Sequence, residues 1–197
     1  MTKIALVVGS IRADSYNHTL AKNIEQTAPE GVTFQYVDIA SLPLFNQDDE
    51  VSFPATASAL KAIVDDADGV LFVTPEYNHS FTGVLKNAID WGSRPWGNNS
   101  WGGKPTGVIG ASISPNGAKF AQDALAGIVD YFVSPRYKAE NISLVVDETT
   151  FGEDGRLSGE TLDQVTAYIT GFAAWVEAEN ARTQREADLV AQAQPVA

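Results

Sequence analysis

The chain contains no cysteine. That excludes disulfide scaffolds, thiolate zinc sites, iron–sulfur clusters and cysteine nucleophiles. Histidine is nearly as scarce: only His18 and His79 occur. They form no His-Glu-x-x-His or other clustered ligand set, so no metal site is expected. Cationic residues are also few. There are 13 Lys+Arg against 25 Asp+Glu, a formal net charge of −12. Such a surface repels phosphate backbones, so neither nucleic acid nor an anionic membrane is an expected partner. No stretch approaches the roughly 18 apolar residues of a membrane-spanning helix. The N-terminal apolar run, Ile4 to Val8, is followed at once by Arg12 and Asp14 and does not read as a signal peptide. A soluble cytoplasmic protein is the expectation. With 197 residues, 44% of them hydrophobic, the chain can bury a core without staples.

What is present alternates along the chain. Short apolar runs at Lys3–Gly9, Val32–Asp38, Gly69–Thr74, Pro105–Ala111 and Asn141–Val146 read as strands. Amphipathic stretches between them predict helices over Tyr16–Ala28, Ala55–Asp66, Thr82–Trp91 and Ala118–Val129, then a terminal helix over Ser158–Ala178 with Ser158 as N-cap. Pro43–Phe53, Pro75–Phe81, Gly92–Gly103 and Asp147–Gly155 read as loops. This order predicts an α/β three-layer sandwich on a five-stranded parallel sheet, flavodoxin-like, with strand order 2-1-3-4-5. Residues 1–182 are expected to form one domain. Residues 183–197 are expected to be a polar tail that extends or frays the last helix until Pro195. In such sheets ligands bind beyond the carboxyl ends of strands 1, 3 and 4.

The loop after strand 1 runs Gly9-Ser10-Ile11-Arg12-Ala13-Asp14-Ser15-Tyr16-Asn17. Ser10, Ser15 and Asn17 can donate hydrogen bonds, the helix that follows leaves its first N–H groups unpaired, and Arg12 offers a planar fork. Together these are the parts of a phosphate site. The glycine spacing fits neither G-x-G-x-x-G nor a P-loop. The loop after strand 3 begins Thr74-Pro75-Glu76-Tyr77-Asn78-His79-Ser80. Exposed Tyr77 and Asn78 at the sheet's carboxyl edge suit a flat polar heterocycle, whose edge the backbone of residues 76–78 can read.

Two motifs carry a family resemblance. Gly9-Ser10-x-Arg12-x-x-Ser15-x-Asn17-x-x-Leu20-Ala21, joined to Pro75-Glu76-Tyr77-Asn78-x-Ser80-x-x-Gly83-x-Leu85-Lys86-Asn87-Ala88-Ile89-Asp90-Trp91, resembles the NADPH-dependent FMN reductase family, which includes quinone, azo-dye and chromate reductases. The similarity runs from about residue 3 to about residue 175. It departs from the family at Thr82, where proline is usual and where threonine serves as a helix cap. It departs again at Ser114–Gln122, where the family has a glycine pair and an Ala-Arg-Ala-Gln-like run.

The resemblance implies an FMN site. By it, Ser10, Arg12, Ser15, Tyr16 and Asn17 hold the 5′-phosphate. Pro75, Glu76, Tyr77 and Asn78 line the isoalloxazine, and Gly110-Ala111-Ser112 closes the remaining side. It further implies an enzyme in which FMN carries the chemistry, with no catalytic side chain required. NADPH or NADH supplies hydride to quinone-like, azo, metal-oxyanion or free-flavin acceptors. Homodimers or homotetramers are implied too, and the apolar excess at Tyr131-Phe132-Val133 and the Trp96/Trp101 loop suit an interface. Arg94, Lys104 and Lys119 are the cations available to a 2′-phosphate.

Other readings stand beside this one. A flavodoxin-like electron carrier would bind FMN without oxidising NAD(P)H, although such carriers typically cradle the phosphate without an arginine. Gly110-Ala-Ser112-Ile-Ser114 lacks the final glycine of a nucleophile elbow, and no late histidine follows it, so a hydrolase is not expected. His18 is expected on the surface of the first helix. His79 lies beside the proposed flavin.

Overall fold

A computed structural model describes residues 1–139 and 142–193. Its strands are β1 (Thr2–Val8), β2 (Val32–Tyr36), β3 (Gly69–Val73), β4 (Thr106–Ser112) and β5 (Ser143–Val145). The helices are α1 (Tyr16–Gln26), α2 (Ala55–Asp66), α3 (Gly83–Gly92), α4 (Lys119–Tyr131) and α5 (Gly159–Ala193). The sheet is five-stranded, every pairing is parallel, and the order is β2-β1-β3-β4-β5. The expected flavodoxin-like α/β architecture is the one found. Element ends differ from expectation by a few residues. Asn141, placed at the head of the fifth strand, and Pro195 lie outside the described residues.

The period of two along each strand sorts the core into two halves. Ile4, Leu6, Val8, Leu71, Val73, Ile109 and Ala111 face α1 and α5. Ala5, Val7, Val70, Phe72 and Val108 face α2, α3 and α4. Both faces of the central strands are covered, which is why β1, β3 and β4 read as near-continuous apolar runs, while the edge strand β2 alternates.

The loop expected over Pro43–Phe53 contains a 3-10 helix, Gln47–Ser52. It wraps Trp91, which is fully buried, with Phe45 and Phe53 edge-on at 5.0 and 5.3 Å. Trp91 Nε1 and Asn87 Nδ2 both donate to the Pro43 carbonyl. Asn87 and Trp91 of the second motif are thus fasteners of this loop. Trp101 is a core residue: its ring lies where a Cβ on Gly92 would come within 2.4 Å. Lys61 anchors a different loop, the one between α3 and β4, donating to the carbonyls of Gly92 and Asn98 and to Ser100 Oγ. Burial pushes its ammonium pKa down.

Gly110 sits where β4 passes the end of β3. A Cβ there would lie 2.2 Å from the Thr74 carbonyl oxygen and 2.8 Å from the Ala118 Cβ. Gly110→Ala is expected to destabilise the fold by about 1–3 kcal/mol, as overpacking does. Gly127→Ala, in α4 with nothing within 4 Å of the new methyl, is expected to stabilise it by roughly 1 kcal/mol through helix propensity. Urea unfolding of the two variants checks both signs.

Candidate functional site

At the carboxyl edge of the sheet, the loops after β1, β3 and β4 enclose a cleft of ≈ 430 Å³. It is lined by Ser10, Arg12, Ser15, Tyr16, Asn17, Pro75, Glu76, Tyr77, Ala111, Ser112 and Ile113. Volume does not single it out, since clefts of ≈ 470 Å³ and ≈ 500 Å³ occur elsewhere. Its position does: three loops that follow the central strands converge here.

The loop after β1 turns on short hydrogen bonds. Ser15 is the N-cap of α1, its Oγ accepting from Asn17 N–H at 3.2 Å. Ser10 Oγ accepts from Arg12 N–H at 3.3 Å. The N–H groups of Ala13, Asp14, Ser15 and Tyr16 find no acceptor among the described residues. Unpaired donors, two serine hydroxyls and an exposed guanidinium at a helix N-terminus make a concave anion site. Arg12 lies over the Tyr16 ring, 5.2 Å from its centroid.

Asn17 also has a structural use. Its buried amide donates to the Ala111 carbonyl at 2.8 Å and accepts from the Ala111 N–H at 3.0 Å. The β3–β4 ladder ends at Val73 opposite Ile109, so the amide takes the place of a missing strand. Asn17 therefore braces the cleft wall, with one of its two amide N–H donors committed to Ala111. His18 is half-buried, its Nε2 2.9 Å from the Ser10 carbonyl, so it helps hold the loop and is not simply a surface group.

The loop after β3 is a tight hairpin. Tyr77 N–H donates to the Ser80 carbonyl and Ser80 N–H to the Tyr77 carbonyl, at 2.8 and 3.0 Å. Asn78 and His79 have φ of 52° and 58°, as a type I′ turn requires. The turn places Asn78 at the tip, outside the cleft lining, while Pro75, Glu76 and Tyr77 line it. Tyr77 is 54% exposed and offers an aromatic face. The Glu76 carboxylate accepts from Phe120 N–H at 2.8 Å and Ala121 N–H at 3.3 Å. It thereby caps α4, whose own N-cap, Ala118, has no side chain to do so. That leaves the Glu76 backbone for a ligand. His79 stacks on Phe120 at 4.5 Å.

Sequence reasoning missed three contributors. Thr82 caps α3 as expected, but its hydroxyl also donates to the Gly9 carbonyl at 2.7 Å, an unforeseen tie that a proline could not make. Ile113 lines the cleft. Phe151 stacks on Tyr16 with the rings 4° from parallel; a lone aromatic in an acidic loop was its one signal. Lys104 is no candidate for a 2′-phosphate. It donates to the Asp65 and Ala67 carbonyls at the end of α2, by the amino edge of β4. Lys119 pairs with Asp123, and Arg94 with Glu50 at 3.4 Å.

The fold and cleft define a flavodoxin-like protein with a built anion site. The family profile of NADPH-dependent FMN reductase matches residues 2–140, and the chain belongs to that family. It is 44% identical over 175 residues to a 2-hydroxy-1,4-benzoquinone reductase of a Burkholderia species, covering 88% of this chain and 96% of that one. It is 37% identical over 179 residues to a quinone reductase of Pseudomonas putida, covering 90% and 96%. Among solved structures, FerB, a flavoenzyme NAD(P)H:(acceptor) oxidoreductase from Paracoccus denitrificans, superposes with a TM-score of 0.86 at 34% identity, covering 91% of this chain and 99% of FerB. The chain is thus an NAD(P)H-dependent oxidoreductase with FMN as its cofactor, and the electron-carrier reading is set aside.

Arg12→Ala is expected to weaken FMN binding by roughly ten- to a hundredfold, the cost of a charge-assisted phosphate contact. Arg12→Lys should recover only part of this, lacking the fork. Titration of the apo-protein with FMN checks both; an unchanged dissociation constant for the alanine variant removes Arg12 from the site.

Proposed function

We propose that the cleft between the loops after β1, β3 and β4 is the FMN site, and that the enzyme passes electrons from NAD(P)H to a quinone-class acceptor. The observation that carries this is the convergence of Ser10, Arg12, Ser15, Tyr16, Asn17, Pro75, Glu76, Tyr77 and Ser112 on one cleft. The donor set fits the group. Ser10, Ser15, Arg12 and the free N–H groups at the head of α1 take a phosphate dianion. The Tyr77 ring, Pro75 and Ile113 offer apolar surface to a planar ring system.

When bound, FMN supplies the redox chemistry, accepting two electrons as hydride from NAD(P)H and returning them to the acceptor. The residues of this chain bind and orient. The N–H groups of Glu76 and Asn78 have no acceptor among the described residues, whereas that of Tyr77 is spent on Ser80. The first two are therefore the backbone donors free to meet the ring's edge. Neither histidine lines the cleft, so proton exchange falls to solvent at its open mouth. Residues 1–182 are taken as the FMN-binding unit and 183–197 as a polar tail, its described part continuing α5 with residues 181–192 all exposed. No described helix is long and apolar enough to cross a membrane, and a cytoplasmic enzyme belongs to the same proposal.

Mixing the purified flavoprotein anaerobically with NADPH or NADH tests the reading. Visible flavin absorbance should bleach and then return on addition of a benzoquinone. Persistence of the absorbance with both nucleotides, under conditions where dithionite removes it, counts against hydride transfer from NAD(P)H.

A homodimer is part of the proposal. Trp96, Tyr131 and Val133 are 81%, 74% and 83% exposed. Val133 has φ of 56°, a left-handed position that a β-branched residue occupies only at a cost. With Ile89, Ile128 and Phe132, Trp96 and Tyr131 line a groove of ≈ 500 Å³ between α3 and α4. Burial against a second copy would offset that exposed apolar surface. Light scattering should give about twice 21.1 kDa or more, and Tyr131→Glu should return the mass toward 21.1 kDa. A wild-type mass near 21.1 kDa contradicts the dimer.

A further inference from the structure

The loop between β5 and α5 reaches the cofactor cleft without lining it. It is firmly shaped at both ends. At its start, the Asp147 carboxylate accepts from Thr149 N–H, Thr149 Oγ1 and Thr150 Oγ1 at 2.8, 2.8 and 3.0 Å. At its end, buried Asn23 of α1 donates to the Gly155 carbonyl at 2.9 Å and accepts from Leu157 N–H at 2.8 Å. Tyr16 and Asn23 are seven residues apart on α1 and share one helix face. The loop therefore runs along that face from Asn23 to Tyr16, where Phe151 meets the Tyr16 ring at 6.4 Å between centroids.

This matters because of Arg12. Its guanidinium is exposed and has no carboxylate partner among the described residues. It borders two clefts: the cofactor cleft, and a neighbour of ≈ 480 Å³ that holds His18, Lys22, Tyr36 and Asp38. A long side chain with a second opening and a carboxylate in it is not held by rotamer preference alone. The contact that fixes it is the face of Tyr16, 5.2 Å from the guanidinium carbon. Tyr16 is itself 40% exposed and is steadied by Phe151.

We propose that Phe151 is a positioning residue for the cofactor phosphate: by stacking on Tyr16 it keeps Arg12 on the cofactor side of the β1–α1 loop. This rests on the FMN reading of the cleft. It makes the β5–α5 loop, none of whose residues lines the cleft, a determinant of how tightly FMN is retained.

Titration of apo-protein with FMN and with riboflavin, which lacks the phosphate, tests the assignment. Phe151→Ala should weaken FMN by roughly three- to thirtyfold and leave riboflavin affinity unchanged. Phe151→Tyr should restore FMN binding. In an Arg12→Ala background, Phe151→Ala should cost nothing further, because the residue it positions is gone. Equal weakening of FMN and riboflavin, an undiminished loss in the Arg12→Ala background, or no loss at all would overturn the assignment. A wild-type protein that binds riboflavin as tightly as FMN overturns the phosphate site itself, and that outcome is distinct from a silent Phe151.

Discussion

The reciprocal pair between the Asn17 amide and the backbone of Ala111 holds the site together. β4 runs three residues past the end of its ladder with β3, to Ser112, and within that overhang one edge of Ala111 has no strand beside it. A buried N–H and C=O without partners would cost roughly 1–3 kcal/mol each. The amide satisfies both, at 3.0 and 2.8 Å, and in doing so ties the head of α1 to the exit of β4. Two further ties complete the frame. Thr82 joins α3 to the Gly9 carbonyl, and Glu76 joins the β3 exit to the head of α4. Each of the three loops around the cleft is thus pinned to a neighbouring element through buried or partly buried hydrogen bonds. The donors that remain free, at residues 13–16, 76 and 78, are held in place by groups that are not.

This division of labour explains how a strongly acidic protein binds a phosphate ester. Most of its cations are already engaged, with carboxylates on the surface or, for Lys61 and Lys104, with backbone carbonyls. Arg12 has no carboxylate partner among the described residues, and in the proposed site uncharged donors, the serine hydroxyls and the N–H groups at the head of α1, would supply the rest of the phosphate's contacts. A net charge of −12 does not preclude an anion site, because local donors set ligand choice. The cofactor brings the electron chemistry, and the two histidines lie against Ser10 and Phe120.

The strand order and the layers were legible in the sequence because apolar runs of five to seven residues alternate with amphipathic stretches, and burial on both faces of β1, β3 and β4 leaves no polar alternation there to mislead. The residues around the cleft were legible because two motifs follow β1 and β3. What each does there was less so. The tie from Asn17 to Ala111 was not legible, because a side-chain amide gives no sign in sequence of a strand end 94 residues away. Asn78 sits at a turn tip because two consecutive positive φ values are needed, and Asn-His is an unusual pair for them. Trp101 and Trp96 looked alike in sequence, but one plugs the space over Gly92 and the other is 81% exposed. The 3-10 helix over Gln47–Ser52 was hidden because it buries no residue and so has no apolar period, while the flanking Phe45 and Phe53 make the contacts with Trp91.

The central claim is that FMN sits beyond the carboxyl ends of β1, β3 and β4, with its phosphate at the head of α1. Amide hydrogen exchange of the apo-protein with and without FMN locates the ligand directly. Protection is predicted at residues 10–17, 76–78 and 112–113, with no change at Tyr137, Leu144 or Tyr168 beside the cleft between β5 and α5. Protection centred on that second cleft, with residues 10–17 unaffected, would contradict the account.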